Sequence, residues 1–544
     1  MSPSGLRSRK SSGKEHAFRP GAIGMLLIMI FAVQSAVICY FNLTQIRCHV
    51  GDDSSWNLLR AALMWNEKAL FHPSWVESTT IHLDTTMVPA SLLYGITGNI
   101  MLSFGLADLL VLAAILLCVW KILDRLDIGF AAKMVALNLI ICPYLTTEFV
   151  AANDLGYFSC ILSGAAYYSG RALFVLMIIY EFLEMTQDGK IGVCGWLLLP
   201  ACVISGMSAG VYLIVVLFIP YLAYELEMAA IRDDWKQLIS RESLFACACC
   251  GCVLAGKVLA ELLFHFDAID SSRGWTSVGN VWTNFGAVIQ GFLLLLQVLP
   301  ITDHAVMSLT GGLRIMIVFI CCVMMASVVF AVLRTKRNLT RKGGAVLFLL
   351  NIVFLNFLVF GLFNARYGRY IFEERYLIST FFVIVLLVAL LLGDLSGRKV
   401  LSAMLSLSLA VSVALVDVHS DFNYLRTTNS GWQIDEIQAL AESRDAGVVY
   451  FWGEDLGALS RTMRACDLNR VYKTVSEYSG GFVHEYGDYT VYDNFDEYSG
   501  STLLIVPTGT ALVPERVLAE YTLLEELDQA KVSVYVCDHN PKLF

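Results

Sequence analysis

LRIMIVFICCVMMASVVFAVL, residues 313–333, is followed at once by RTKRNLTRK, residues 334–342. As a helix rising 1.5 Å per residue, the first segment is about 30 Å long, the thickness of a bilayer's hydrocarbon core. The second carries Arg334, Lys336, Arg337, Arg341 and Lys342, and short loops rich in Lys and Arg stay on the cytoplasmic side. Working outward from this pair, runs of similar character fall at 22–42, 103–123, 129–147, 157–184, 193–207, 209–227, 243–264, 284–300, 345–363, 376–393 and 400–416. The composition agrees, with 57% hydrophobic and 16% charged residues and a mean hydropathy of +0.64. A soluble domain carries about 25% charged residues. The sequence therefore predicts a mainly α, polytopic transmembrane protein.

Two more basic segments set the direction of the chain. Arg7, Arg9, Lys10, Lys14 and Arg19 precede the first run, and Arg398 and Lys399 precede the last. With both of these and 334–342 inside, an even number of crossings must separate Met1 from Arg334, yet nine runs lie between them. One run therefore does not cross. The candidates are 284–300 and the segment 193–227, which Ser205, Gly206, Ser208 and Gly210 interrupt. About eleven spans follow, with 1–21 a cytoplasmic tail and the first run a retained span rather than a cleaved leader.

From Ser420 the chain holds 9 Lys/Arg against 20 Asp/Glu; subtracting these from totals of 38 and 47 leaves residues 1–419 at +2. Neither part has a basic face suited to nucleic acid. Residues 420–544 alternate helical patterns (433–444, 455–464, 514–521) with strand patterns (448–452, 470–475, 489–493, 501–506, 531–537). That order predicts an extracytoplasmic α/β domain. Cys466 and Cys537 are its only cysteines and would suit one disulfide in an oxidising compartment. The remaining cysteines fall mostly inside apolar runs, as small packing residues.

The long first outer loop, 43–100, contains a helical pattern that Asp53 or Ser54 would cap. Trp56, Leu59, Leu63 and Leu70 form its apolar side, and Asn57, Asn66 and Lys68 its polar side, as in a helix lying on a membrane surface. Gly51-Asp52-Asp53 opens it, and two adjacent carboxylates there suit a general base. The same pair equally suits a solvated helix start favoured by the helix dipole. His82 and Asp84 follow in that loop. Glu148, Asn153 and Asp154 fall between the third and fourth runs, and Arg171 and Glu181 inside the fourth, where ionisable groups face a cavity or a partner. Arg366, Arg369 and the segment Glu373-Glu374-Arg375-Tyr376 lead into the eleventh run, where Arg can hold a phosphate with two parallel bonds. The chain has neither a Walker loop nor a dinucleotide glycine fingerprint.

An Asp-Asp pair, a helix carrying Arg60, a long first outer loop and many spans resemble the GT-C membrane glycosyltransferases, and within them the mannosyltransferase/arabinosyltransferase-like branch. The resemblance covers residues 1–419 in architecture and short stretches in motif. It implies a polyprenyl-phosphate sugar donor, a bacterial plasma-membrane setting and a cell-envelope acceptor that is a glycan, lipid or protein. It also implies inverting transfer with Asp52 or Asp53 as base. Arg375 and Tyr376, with Arg171, Arg366 and Arg369, would bind the donor phosphate. Glu148 and Asp154 would form a second acidic site, and His82 and Asp84 would orient the acceptor. No cofactor or metal is expected, because the acidic pair lacks an evident third ligand for a divalent ion. Two rival readings remain: a transporter or flippase of lipid-linked substrates, and a non-catalytic envelope protein whose C-terminal domain binds a partner.

Overall fold

The computed structural model describes residues 21–48, 50–71, 81–145, 156–163, 168–188, 190–264, 274–299, 305–335, 341–364, 374–427, 433–478, 481–484, 498–509 and 513–541. Helices α1 (Ala22–Tyr40), α2 (Asp52–Asn66), α3 (Met87–Thr97), α4 (Ile100–Arg125) and α5 (Phe130–Ile141) open the chain. Then come α6 (Ser169–Asp188), α7 (Val193–Ala209), α8 (Ile219–Arg232, entered through a π turn Ile214–Phe218), α9 (Arg241–Leu263) and α10 (Val281–Leu295). The bundle ends with α11 (Leu309–Thr335), α12 (Arg341–Leu362), α13 (Ile378–Asp394) and α14 (Lys399–Thr427). Among the described residues, nine helices are long and apolar enough to cross a membrane, and three shorter apolar helices accompany them.

Among the described residues each apolar run of the sequence contains a helix, but not every helix goes through. The strands β1 (Gly274–Trp275) and β2 (Phe363–Asn364) pair antiparallel. Asn284 Nδ2 donates to the carbonyls of Phe360 and Gly361. The start of α10 and the end of α12 therefore share one end of the bundle. α11 and α12 form a hairpin, so α11 also starts at that end, and its far terminus pairs with the opposite end through Arg334 and Asp394. α10 thus leaves and returns to the same end. Among the described residues the bundle is run from end to end by α1, α4 to α9 and α11 to α14, which is eleven, while α10, in the run at 284–300, is apolar enough to cross but returns to the end from which it starts.

The interrupted segment 193–227 has a local cause. Gly206 of α7 sits against the Val253 carbonyl of α9, and Gly256 of α9 against the Val203 carbonyl of α7; a side chain at either glycine would collide with backbone. Small residues allow such close crossing in a bilayer, where apolar side chains gain little by leaving lipid. Buried Cys202 and Cys249 fill the same seam.

The C-terminal domain adds α15 (Ile434–Ser443), α16 (Gly457–Cys466) and α17 (Glu515–Leu518) to a six-stranded mixed sheet, in the order β5-β4-β3-β6-β8-β7. Its strands are β3 (Val448–Trp452), β4 (Val471–Tyr478), β5 (Gly481–His484), β6 (Thr502–Pro507), β7 (Thr522–Leu527) and β8 (Val532–Cys537). β3 lies parallel between β4 and β6, with Val448 opposite Val471 and Thr502. All five residues of β3 are buried, as a central strand covered on both faces requires. β5 and β7 were not expected, and the anticipated strand at 489–493 lies outside the described residues. Cys466 and Cys537 are both free: Cys466 packs beside α2 to α4, while Cys537 belongs to the core on another side of the sheet. The suggested disulfide is not formed.

Candidate active site

The first loop and the fourth run, separate in sequence, meet at the end of the bundle that carries the C-terminal domain. The expected single helix 157–184 is instead a π turn (Phe158–Leu162) followed by α6 from Ser169. Arg171 therefore lies in the first turn of α6 rather than in the middle of a helix. Its guanidinium Nε donates to Asp84 Oδ2 at 2.8 Å, and both side chains are almost fully buried. Gly170 makes this possible, because a Cβ there would strike the Asp84 carbonyl. Glu181 lies ten residues further along α6, about 15 Å away, and accepts the Gly192 N–H at 2.7 Å. The two ionisable groups of the fourth run thus serve opposite ends.

His82 is half-buried, with its Nδ1 enclosed, and holds a left-handed backbone at φ 48°. Its pKa is pushed down to about 3, first by burial and then by the positive charges of Arg171, Arg375 and Arg60. His82 is therefore held as a neutral imidazole under the positive charge of three arginines. Burial pushes the Asp84 carboxyl up, and pairing with Arg171 pulls it back only in part. Asp84 Oδ1 accepts no hydrogen bond among the described residues.

Arg375 opens a 3-10 turn, Glu374–Leu377, at the head of α13. Its guanidinium carbon lies 6.0 Å from the Tyr168 ring centroid, and that of Arg171 lies 4.7 Å from the same ring. Tyr168 stands between the two arginines, within cation–π range. Tyr376 is held by stacking on Phe360 and edge contact with Tyr168, each at 6.2 Å. Tyr212 braces the turn by donating to the Tyr376 carbonyl at 3.4 Å. A small, partly open pocket of about 10 Å³ adjoins the cluster, lined by Arg60, Met64, Leu70, Phe71, Ile81, Leu83 and Phe264.

Asp52 and Asp53 are the first two residues of α2, with Gly51 as the cap; the expected capping by Asp53 or Ser54 is not made. Arg60 is two turns further along, about 12 Å of helix. The amphipathic reading of α2 is also corrected. Asn57 is 2% exposed, and the helix is covered by α3 and α4 on one side and α16 on another. Glu148, Asp154, Arg366 and Arg369 lie outside the described residues. Sequence reasoning missed the roles of Gly170, Tyr168 and Tyr212, and left Arg60 outside the site. Among the described residues, no group of three or more His, Cys, Asp or Glu could hold a metal ion.

No protein-family model and no curated protein sequence matches this chain. Solved structures do. ArnT from Cupriavidus metallidurans bound to undecaprenyl phosphate aligns over 95% of this chain and 98% of its own at TM-score 0.56, with 10% identity. The apo state of the same protein aligns over 94% and 97% at TM-score 0.57, with 12% identity. These neighbours do not represent the mannosyltransferase/arabinosyltransferase-like branch expected from the sequence. The chain shares the fold of these ArnT structures, a helical bundle with a small C-terminal sheet.

Proposed function

We propose that this protein is a membrane glycosyltransferase that moves a sugar from a polyprenyl-phosphate donor to a hydroxyl of a cell-envelope glycan, lipid or protein. The observation that supports the reading is that the charges of Arg60, Arg171 and Arg375 all act on His82 beside the buried Arg171–Asp84 pair, at the end of the bundle where α2 begins with Asp52 and Asp53. The fold is shared with an ArnT that was crystallised with undecaprenyl phosphate.

The charge change of the reaction explains why arginines suit this place. The donor phosphate is a diester with one negative charge, and the departing lipid phosphate is a monoester that gains a second as the glycosidic bond breaks. Fixed guanidiniums therefore bind the leaving group more strongly than the substrate, which is the condition for catalysis by binding. A charged His82 would raise the site's resting positive charge; held neutral, it offers a directional nitrogen instead. Asp52 or Asp53 takes the proton from the acceptor hydroxyl, whose oxygen attacks the anomeric carbon and inverts it. In this reading the N-terminus is cytoplasmic, the C-terminal domain is extracytoplasmic, and no resident metal takes part.

The test is Asp52→Asn and Asp53→Asn, singly and together. Asn keeps shape and helix-start preference but cannot take a proton. Loss of the base lowers transfer from a polyprenyl-phosphate sugar by about 10²–10⁴-fold, with purification yield and melting unchanged. Full activity in all three variants would defeat the assignment.

A further inference from the structure

Among the described residues, the C-terminal domain reaches into the membrane body through α16. Arg461 of α16 donates through Nε to Ser55 Oγ of α2 at 2.8 Å, and its guanidinium carbon lies 4.2 Å from the Trp56 ring centroid. Ser55 is fully buried and Arg461 nearly so. α16 is buried on both sides: Leu459 and Met463 join the core of the C-terminal domain, while Ala465 and Cys466 join the cluster made by α2, α3 and α4. Ser55 and Trp56 stand three and four residues after Asp52, so the contact sits one helical turn beyond the acidic pair.

We propose that Arg461 is a positioning residue, through which the C-terminal domain fixes the rotation and tilt of α2 and hence the placement of Asp52 and Asp53. This rests on the transferase reading above. Gluing two surfaces would need only an apolar side chain, which costs less to bury than a guanidinium. A bond to one hydroxyl together with stacking on one ring specifies a single orientation. Arg47 and Asp435 also link the two parts at 2.7 Å, but that pair is exposed and lies outside the buried contact. It supplies a control.

The experiment compares Arg461→Met, which preserves bulk, Arg461→Lys, which preserves charge, and Arg47→Ala in the full-length protein. Two readouts are taken: amide hydrogen exchange of residues 52–66, and steady-state transfer from a polyprenyl-phosphate sugar. Arg461→Met is expected to expose the amides of α2 and to lower kcat about 10²-fold while donor KM holds, the order of loss from a misplacement of about 1 Å. Arg461→Lys recovers part of both, and Arg47→Ala changes neither. Unchanged exchange in Arg461→Met overturns the clamp, and lost protection with full kcat overturns its positioning role. A wild-type protein without transfer activity defeats the transferase reading before any variant is compared, so the two failures are told apart.

Discussion

At the end of the bundle away from the C-terminal domain, Arg125 meets Glu184 at 2.7 Å, Lys133 meets Asp124, and Arg334 meets Asp394. Each of these three cations meets a carboxylate, and most of these side chains remain partly exposed. At the other end, Asp84 is fully buried against Arg171, and the charges of Arg60, Arg171 and Arg375 all reach one neutral histidine. The first arrangement ties loops together where water still screens them. The second gathers positive charge where water is excluded, which suits an anion that arrives and leaves. Depth therefore separates two clusters built from the same residue types.

The comparison breaks most readily at its two ion pairs. Removing one member of a buried pair leaves the other charge stranded, at a cost of about 3–5 kcal/mol. A partly exposed pair is worth about 1 kcal/mol or less. Arg171→Ala should therefore lower the unfolding free energy in detergent several-fold more than Arg125→Ala. Equal losses would mean that Asp84 is solvated when Arg171 is gone.

A second test uses acidity. The folded protein holds the His82 pKa at about 3, below its ordinary 6.5, so the unfolded chain takes up a proton that the folded one refuses. Stability from this source is present above pH 6.5 and is lost as pH falls toward 3. By pH 5 the loss is about 2 kcal/mol. His82→Asn should remove that component, since Asn tolerates the left-handed backbone. Melting curves at pH 7 and pH 5 for both proteins check it, and an equal pH dependence would refute the neutral histidine.

The smallest effect concerns geometry rather than charge. Arg375→Lys keeps the cation but loses the planar fork, and transfer should fall about tenfold, as for one lost charged hydrogen bond. Melting should stay where it was. A Lys variant with full activity would reduce Arg375 to a helix-head packing residue.

The bundle was legible because a span is a local property: twenty apolar residues announce themselves without help from the rest of the chain. The non-crossing run was narrowed by the placement of Lys and Arg, and singled out only by the meeting of Asn284 with Phe360 and Gly361. Local reading failed where distant parts meet. α2 has polar residues on one side, as a surface helix would, and nothing nearby announces that α16 covers it. β7 carries Glu525 and Glu526 and is largely exposed at the sheet edge, so its pattern does not read as a strand. Arg171 seemed to lie within a continuous run because the break before Ser169 has little polar punctuation. The candidate arginines and the His-Asp pair were named from sequence. Their meeting depended on Gly170, whose missing side chain has meaning only once the Asp84 backbone is beside it.

The contact between Arg461 and Ser55 joins positions 406 residues apart. During synthesis α2 emerges early, but its brace emerges only after the last helix of the bundle and the first strand of the sheet. Contacts this remote in sequence close late, since the intervening chain must first be made and confined. A chain that stalls or is cut before α16 would fill the membrane with a nearly complete bundle whose acidic helix has not been set in place. Readiness of the site thereby waits on α16, after the bundle itself has been made.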